Sequence, residues 1–224
     1  ISKITNFNNQ NLTIDVSLHI GSFLAVVTYF YKDIYNFIEN KKLFEKILIA
    51  SLPVLIAGYI MIETGVIEKI RNIKVIGWTT FIFGILLYVS DKFKLEKSIK
   101  QLNLKSSLII GIFQILSLIP GVSRSGISIT AARFLNYKRY DAAKISFLLS
   151  IPTLGIISIF GLKNILSNGN SIFSLFNYIS ILFSFIFSLI TIKYFLKYIQ
   201  TFSLNLFIIY RIILGLIILT FVYL

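Results

Sequence analysis

The chain has 224 residues, 56% hydrophobic and 14% charged, with a mean hydropathy of +0.84. A soluble domain carries about 25% charged residues, so this composition excludes a water-soluble globule, a coiled coil and a disordered tail. Lys and Arg outnumber Asp and Glu by 22 to 9, for a net charge of +13. Because the basic residues lie between apolar runs, positive-inside bias and anionic headgroups account for them, and no nucleic acid is expected as a partner. With no cysteine and a single histidine, His19, disulfides, thiolate nucleophiles and His-based metal clusters are excluded.

The chain opens on Ile1 and its only methionine is Met61. No basic stretch followed by a cleavable apolar segment precedes the first span, so the expectation is no signal peptide and a natural N-terminus upstream. Sharply bounded apolar runs then follow. A helix needs roughly 17–25 apolar residues to cross about 30 Å of hydrocarbon. Full spans are expected near 16–31, 47–66, 75–90, 145–162, 173–192 and 203–223, about six transmembrane helices in one integral membrane domain, 1–224. The Asn/Ser-rich stretch 164–171 reads as an external loop.

The stretch 106–132 does not fit that series. Its apolar part runs from Ser106 to Ile119 and then meets Pro120-Gly121. Fourteen residues at about 1.5 Å each reach only about 21 Å, short of a crossing. Irregular backbone at membrane depth is tolerated only inside protein or against a wet cavity. A re-entrant helical hairpin fits: in along 106–119, a polar turn, out along 126–135.

Basic residues discriminate between the two topologies. With a hairpin, loops 32–46, 92–105, 133–144 and 193–197 share one side and hold fifteen Lys and Arg, against four on the other side. A single crossing would split them ten against nine. The positive-inside rule selects the hairpin, with its base in the cytoplasm and the C-terminus outside.

The polar turn, Pro120-Gly121-Val122-Ser123-Arg124-Ser125-Gly126-Ile127-Ser128-Ile129-Thr130, concentrates the chemistry. An arginine at the membrane centre costs about 2.5–3.5 kcal/mol on insertion scales, so it requires a compensating role. A guanidinium fork matches phosphate oxygens bidentately, and glycines let backbone N–H groups approach an anion at a helix start. The bland alternative is a helix break with Arg124 snorkelling to an interface. The spacing Gly121-x4-Gly126-Ile127-Ser128 is P-loop-like, but the lysine is absent and no strand precedes it, so a nucleotide site is rejected.

PGVSRSGISIT resembles the PGxSRSG(x)T motif of the undecaprenyl-diphosphate phosphatase family, the bacitracin-resistance proteins. The resemblance extends along nearly the whole chain, through LHIGSFLAVVTYFYKDI, GIFQILSLIPG, RYDAAKISFLLSIP and IIYRIILG. It implies a hydrolase that removes one phosphate from undecaprenyl diphosphate, recycling the lipid carrier for peptidoglycan and conferring bacitracin resistance. It also implies an inverted-repeat fold with two re-entrant hairpins, of which 106–132 would be the second, a homodimer, and a bacterial cytoplasmic (inner) membrane location. The family's E-x3-E and PVSSTGH motifs would precede residue 16 and are not matched. The expectation is therefore a chain lacking its first hairpin, and with it the ligands of the divalent cation (Mg or Ca) that the resemblance implies.

By the same resemblance Arg124 clamps the diphosphate, with Ser123 and Ser125 as further catalytic residues. Gly121, Gly126 and Ser128 are substrate-binding candidates. From their positions in apolar helices Arg211 and Gln114 join them, with a structural partner the leading alternative for Arg211 and a helix–helix hydrogen bond the equal alternative for Gln114; no metal ligand is assigned. Thr130 reads as helix packing, His19 as a packing residue, and Arg139 as a basic-loop residue that topology explains. Glu63 and Asp91 read as solvated interfacial carboxylates. Two functions compete: the phosphatase, and a non-enzymatic polyprenyl-phosphate binder or translocator using a midplane half-helix site. Lipid phosphatases with a histidine nucleophile after an S-R motif are excluded, since no histidine follows Arg124.

Overall fold

A bilayer leaves backbone N–H and C=O groups no water to bond, so long apolar runs must satisfy them internally as helices. The computed structural model, which describes residues 2–39, 41–167 and 175–224, is helical throughout, with no strand among the described residues. The helices are α1 (Ser2–Tyr29), α2 (Tyr31–Glu39), α3 (Lys41–Glu63), α4 (Val66–Ile70), α5 (Ile73–Asp91), α6 (Leu104–Ile115), α7 (Arg124–Phe134), α8 (Arg139–Ser167), α9 (Leu175–Thr201) and α10 (Asn205–Tyr223).

Five of them, α3, α5, α8, α9 and α10, are long and apolar enough to cross a membrane. The sixth expected span, 16–31, falls in α1, whose apolar part Thr13–Tyr29 is a shorter apolar helix. All four expected basic loops carry helix: 32–46 holds most of α2 and the start of α3, 92–105 the start of α6, 133–144 the end of α7 and the start of α8, and 193–197 lies wholly in α9. The expected external loop is also shorter, because α8 runs on to Ser167; positions 168–171 lie outside the described residues.

The chain divides into two units, 1–39 with 150–195 and 40–149 with 196–224. In the first, α1 packs on α8 and α9 through small residues, as helices in lipid do. A Cβ at Gly161 would lie 2.5 Å from Val16, and one at Gly155 would lie 3.3 Å from the Phe23 ring. Ser22 Oγ is 3.0 Å from Ser184 Oγ and 3.1 Å from Ser188 Oγ, a hydroxyl cluster tying α1 to α9.

The second unit is built on an antiparallel α5–α10 pair. Cβ atoms at Gly77, Gly84 and Gly215 would press on Leu219, on Arg211 and Ile212, and on Phe81, so one register runs the length of both helices. Gly215 is the tightest of these contacts, with the Phe81 backbone N 2.7 Å from where its Cβ would stand. α3 buries Ile47, Ala50, Ser51 and Val54, a helical stripe, and Gly111 of α6 lies directly on the Ala50 backbone.

Between these helices lies the hairpin. α6 has 12 residues and α7 has 11, about 18 and 16 Å, neither long enough to cross. The segments before α6 and after α7 pair with each other. Lys97 bridges Tyr137, Glu96 N and Lys97 N donate to the Asn136 carbonyl, and Lys138 N donates to the Lys97 carbonyl. The chain therefore enters and leaves at one end of the unit, and the hairpin is re-entrant. Lys46 Nζ donates to the Leu102 carbonyl and Asp91 receives the Leu204 N–H, so the starts of α3, α6 and α10 share that basic end.

Candidate functional site

At the tip of the hairpin the backbone turns through Ile119–Ser123, and two residues there have positive φ. Gly121, at φ 89°, adopts a conformation open to glycine, and a Cβ would strike the Thr79 hydroxyl and the Ile76 carbonyl. Ser123, at φ 68° and ψ 115°, has no such freedom, and strain at a non-glycine residue needs support from its surroundings. Its support is the start of α7. Ser123 Oγ accepts from the Gly126 N–H at 3.3 Å and its carbonyl accepts from the Ile127 N–H at 3.0 Å, so the serine caps the helix. The helix starts at Arg124, two residues earlier than the sequence implied.

Two threonines of α5 hold the turn from one side. Thr79 Oγ1 donates to the Pro120 carbonyl at 2.6 Å, and Thr80 Oγ1 to the Gly121 carbonyl at 3.3 Å. From α10, Arg211 Nη2 donates to the same Gly121 carbonyl at 3.0 Å. Its Nη1 lies 2.7 Å from where a Gly126 Cβ would stand. Gly126 is thus the gap through which the second guanidinium reaches the first turn of α7.

The structure brings Gly121, Ser123, Gly126 and Arg211 together, with Arg124 half-buried on the same first turn. Ser123 and Ser125 are exposed, their hydroxyls 3.4 Å apart. Ser128 and Gln114 are each 1% exposed, inside the packed hairpin, and neither side chain has a hydrogen-bond partner among the described residues. Thr130 bonds back to the Gly126 carbonyl at 2.8 Å within α7, as packing predicts. Sequence reasoning missed Thr79 and Thr80; the signal was available as adjacent hydroxyls in an apolar span. The arrangement offers two guanidinium groups, exposed hydroxyls and a helix N-terminus, chemistry that suits an anion.

The residues of the turn do not fit a divalent cation. They supply hydroxyls and guanidinium groups, and no cluster of three His, Cys, Asp or Glu side chains occurs among the described residues. Hard cations require several oxygen ligands, carboxylates foremost.

The base of the hairpin corrects two expectations. Asp91 is not solvated: it is buried, and its carboxylate takes Arg139 bidentately, Nε to Oδ1 at 2.7 Å and Nη2 to Oδ2 at 3.0 Å. Arg139 is therefore an ion-pair partner, beyond any topological role. Arg133 is fully buried beside them, its Nε 3.5 Å from Asp91 Oδ1. Glu63, as expected, is exposed at the end of α3. His19, expected as a packing residue, is instead exposed on α1. Tyr137, in the connection to α8, is fully buried; burial pushes its phenol up, and a hydrogen bond with Ser106 opposes this.

Comparison with known proteins gives a consistent answer. The family model described as bacitracin resistance protein BacA matches residues 1–217. A protein of Pelagibacter ubique (strain HTCC1062) named undecaprenyl-diphosphatase is 50% identical over 228 residues, covering 100% of this chain and 88% of its own length. Proteins of the same name from Jannaschia sp. (strain CCS1) and Saccharophagus degradans are 34% and 38% identical. These alignments cover 100% and 95% of this chain and 89% and 84% of the relatives.

Proposed function

The chain belongs to the bacitracin resistance protein BacA family, and on that premise we propose that it hydrolyses undecaprenyl diphosphate to undecaprenyl phosphate and inorganic phosphate. The product is the lipid carrier used in peptidoglycan synthesis, and its regeneration is the basis of bacitracin resistance. The observation that supports the site assignment is Arg211, drawn from 90 residues away to the Gly121 carbonyl and reaching the first turn of α7 at Gly126. Besides holding the turn, an intramembrane arginine there can meet an anion.

In this reading Arg124 and Arg211 grip the diphosphate oxygens, and Ser123 and Ser125 hydrogen-bond the terminal phosphate. Gly121 and Gly126 keep the backbone close to it, and Ser128 and Gln114 line the interior behind the turn. The bridging P–O bond breaks and undecaprenyl phosphate leaves with the bridging oxygen. The terminal phosphorus gains an oxygen from water, directly or after a serine of the turn has carried the phosphoryl group. The guanidinium groups stabilise charge spreading over the transferred oxygens. The divalent cation implied by the resemblance finds no ligand set among the described residues, and none of these roles runs through it. The proposal includes one integral domain in the bacterial cytoplasmic (inner) membrane, assembled as a homodimer, which molar mass in detergent would test.

The test is phosphate release from farnesyl or undecaprenyl diphosphate in detergent, with and without divalent cation. Arg211→Lys, which keeps the charge and loses the fork, should lower release about 10²-fold in folded protein, the scale of losing one preorganised donor. Folded protein that binds the lipid and releases no phosphate would overturn the phosphatase in favour of a polyprenyl-phosphate carrier.

A further inference from the structure

The base of the hairpin holds a charge cluster that the site has not used. One carboxylate, Asp91 at the end of α5, faces two guanidinium groups and a backbone donor. Arg139, at the start of α8, takes both its oxygens. The Leu204 N–H, at the start of α10, reaches Oδ2 at 3.4 Å. Arg133, at the end of α7, lies within ion-pair distance of Oδ1.

Arg133 is in turn held by backbone carbonyls. Its Nη1 donates to the Lys94 carbonyl at 3.2 Å and to the Tyr137 carbonyl, and its Nη2 donates to the Asp91 and Phe93 carbonyls at 3.2 and 2.5 Å. A guanidinium has five N–H donors, and here four meet backbone carbonyls while Nε, 3.5 Å from Asp91 Oδ1, has no hydrogen-bond partner among the described residues. The loop after α5 is thereby bound to the last turn of α7.

Three helices that meet at Asp91 also meet at the tip. Along α5, Thr79 is twelve residues from Asp91; along α7, Arg124 is nine residues from Arg133; along α10, Arg211 is seven residues from Leu204. At 1.5 Å per residue these are rises of about 18, 14 and 10 Å. Helices behave as rods over such lengths, so a slip of one helix at the base is transmitted to the tip. The glycine contacts between α5 and α10 leave that register little other freedom.

We propose that Asp91 is a positioning residue for phosphoryl transfer. Through Arg133, Arg139 and the Leu204 N–H it fixes α7 and α10 against α5, and so sets the register in which Arg211 meets the first turn of α7. This rests on the reading of the tip as the phosphate site. Asp91 touches no substrate and acts through Arg211.

A double-mutant cycle on the full chain tests it, with farnesyl diphosphate as substrate and Asp91→Asn, Arg211→Lys and both together. Asp91→Asn should lower kcat about tenfold or more, with KM changed less than about threefold, because a misplacement near 1 Å acts mainly on transition-state contacts. In the double variant the two losses should not add, the Asp91 effect vanishing once Arg211 is altered. Additive losses, as expected for independent sites, would overturn the proposal and leave Asp91 a purely structural residue. If Asp91→Asn does not fold, Arg139→Gln is carried through the same cycle, since it removes the bidentate partner and leaves the carboxylate.

A second measurement needs no turnover. The chain has no cysteine, so nitroxide labels at Ile112→Cys on α6 and Ile209→Cys on α10, both exposed, report the distance from the hairpin to α10. Asp91→Asn should shift or broaden that distance by about 1.5 Å or more, one residue of helical rise. An unchanged distribution overturns the positioning role. Absence of phosphate release by the unsubstituted chain would instead count against the phosphatase reading, leaving the distance measurement to decide this one.

Discussion

Arg133 and Arg211 are two buried guanidinium groups of the same helical unit, used in opposite ways. At the base of the hairpin Arg133 is fully enclosed, its two Nη groups donating to four backbone carbonyls and its Nε 3.5 Å from the Asp91 carboxylate. At the tip the Nη groups of Arg211 donate to one carbonyl, Gly121, among the described residues, and the Nε of neither arginine has a hydrogen-bond partner there. Burying a polar group without a partner is costly, so the incomplete satisfaction of Arg211 is informative where its burial is not. A guanidinium whose four Nη donors all meet backbone carbonyls is structural, and one with Nη donors left over beside a helix N-terminus suits the anion role proposed for it. The backbone does not separate the two ends: Ser123 at the tip and Asn136 at the base both have positive φ, 68° and 67°.

The sharpest way to break this contrast is to treat both ends alike. Arg124→Ala should reduce phosphate release by about 10³-fold, the lower end of the effect of an arginine acting on a transferring phosphoryl group. Its thermal unfolding in detergent should hardly change. Arg133→Lys should do the reverse in emphasis. A lysine cannot replace a planar fork serving four carbonyls, and leaving buried acceptors unpaired should cost about 3 kcal/mol of stability, read as a fall in Tm. If Arg133→Lys unfolded no more easily than Arg124→Ala, the contrast between the base and the tip of the hairpin would be wrong.

The hairpin was legible in the sequence because three one-dimensional signals coincide there: a 14-residue apolar helix, a Pro-Gly break and the sidedness of the basic loops. The polar turn was legible because its residues are contiguous. What supports the turn was not. Thr79 and Thr80 reach it across 41 residues and Arg211 across 90, and no periodicity reports which face of α5 or α10 meets a distant loop. Asp91 and Arg139 show the same limit in the charges. Along a sequence, a carboxylate at a span end reads alike whether it meets water or a guanidinium from another helix, and only packing separates the two.

Smaller changes at the tip sharpen the comparison further. Gly126→Ala places a methyl 2.7 Å from Arg211 Nη1, the far end of a flexible side chain that can retreat. The helix loses nothing, since alanine is favoured over glycine there by about 1 kcal/mol. The expected result is unchanged or slightly raised stability with phosphate release lowered about tenfold, because a displaced guanidinium forfeits geometry it had before the reaction began. Stability and activity moving together would mean that Gly126 serves packing alone.

The smallest expected effect is that of Thr79→Val. Valine matches threonine in shape and removes only the hydroxyl, so the Pro120 carbonyl loses the donor now at 2.6 Å. That group is partly buried, and the loss should cost about 1 kcal/mol. Because Thr80 and Arg211 still hold the Gly121 carbonyl, the turn should keep its conformation and release should fall by no more than about threefold, the scale of one neutral hydrogen bond. A hundredfold fall would show that the α5 hydroxyl itself takes part at the phosphate, and would move Thr79 from the support of the turn into the site.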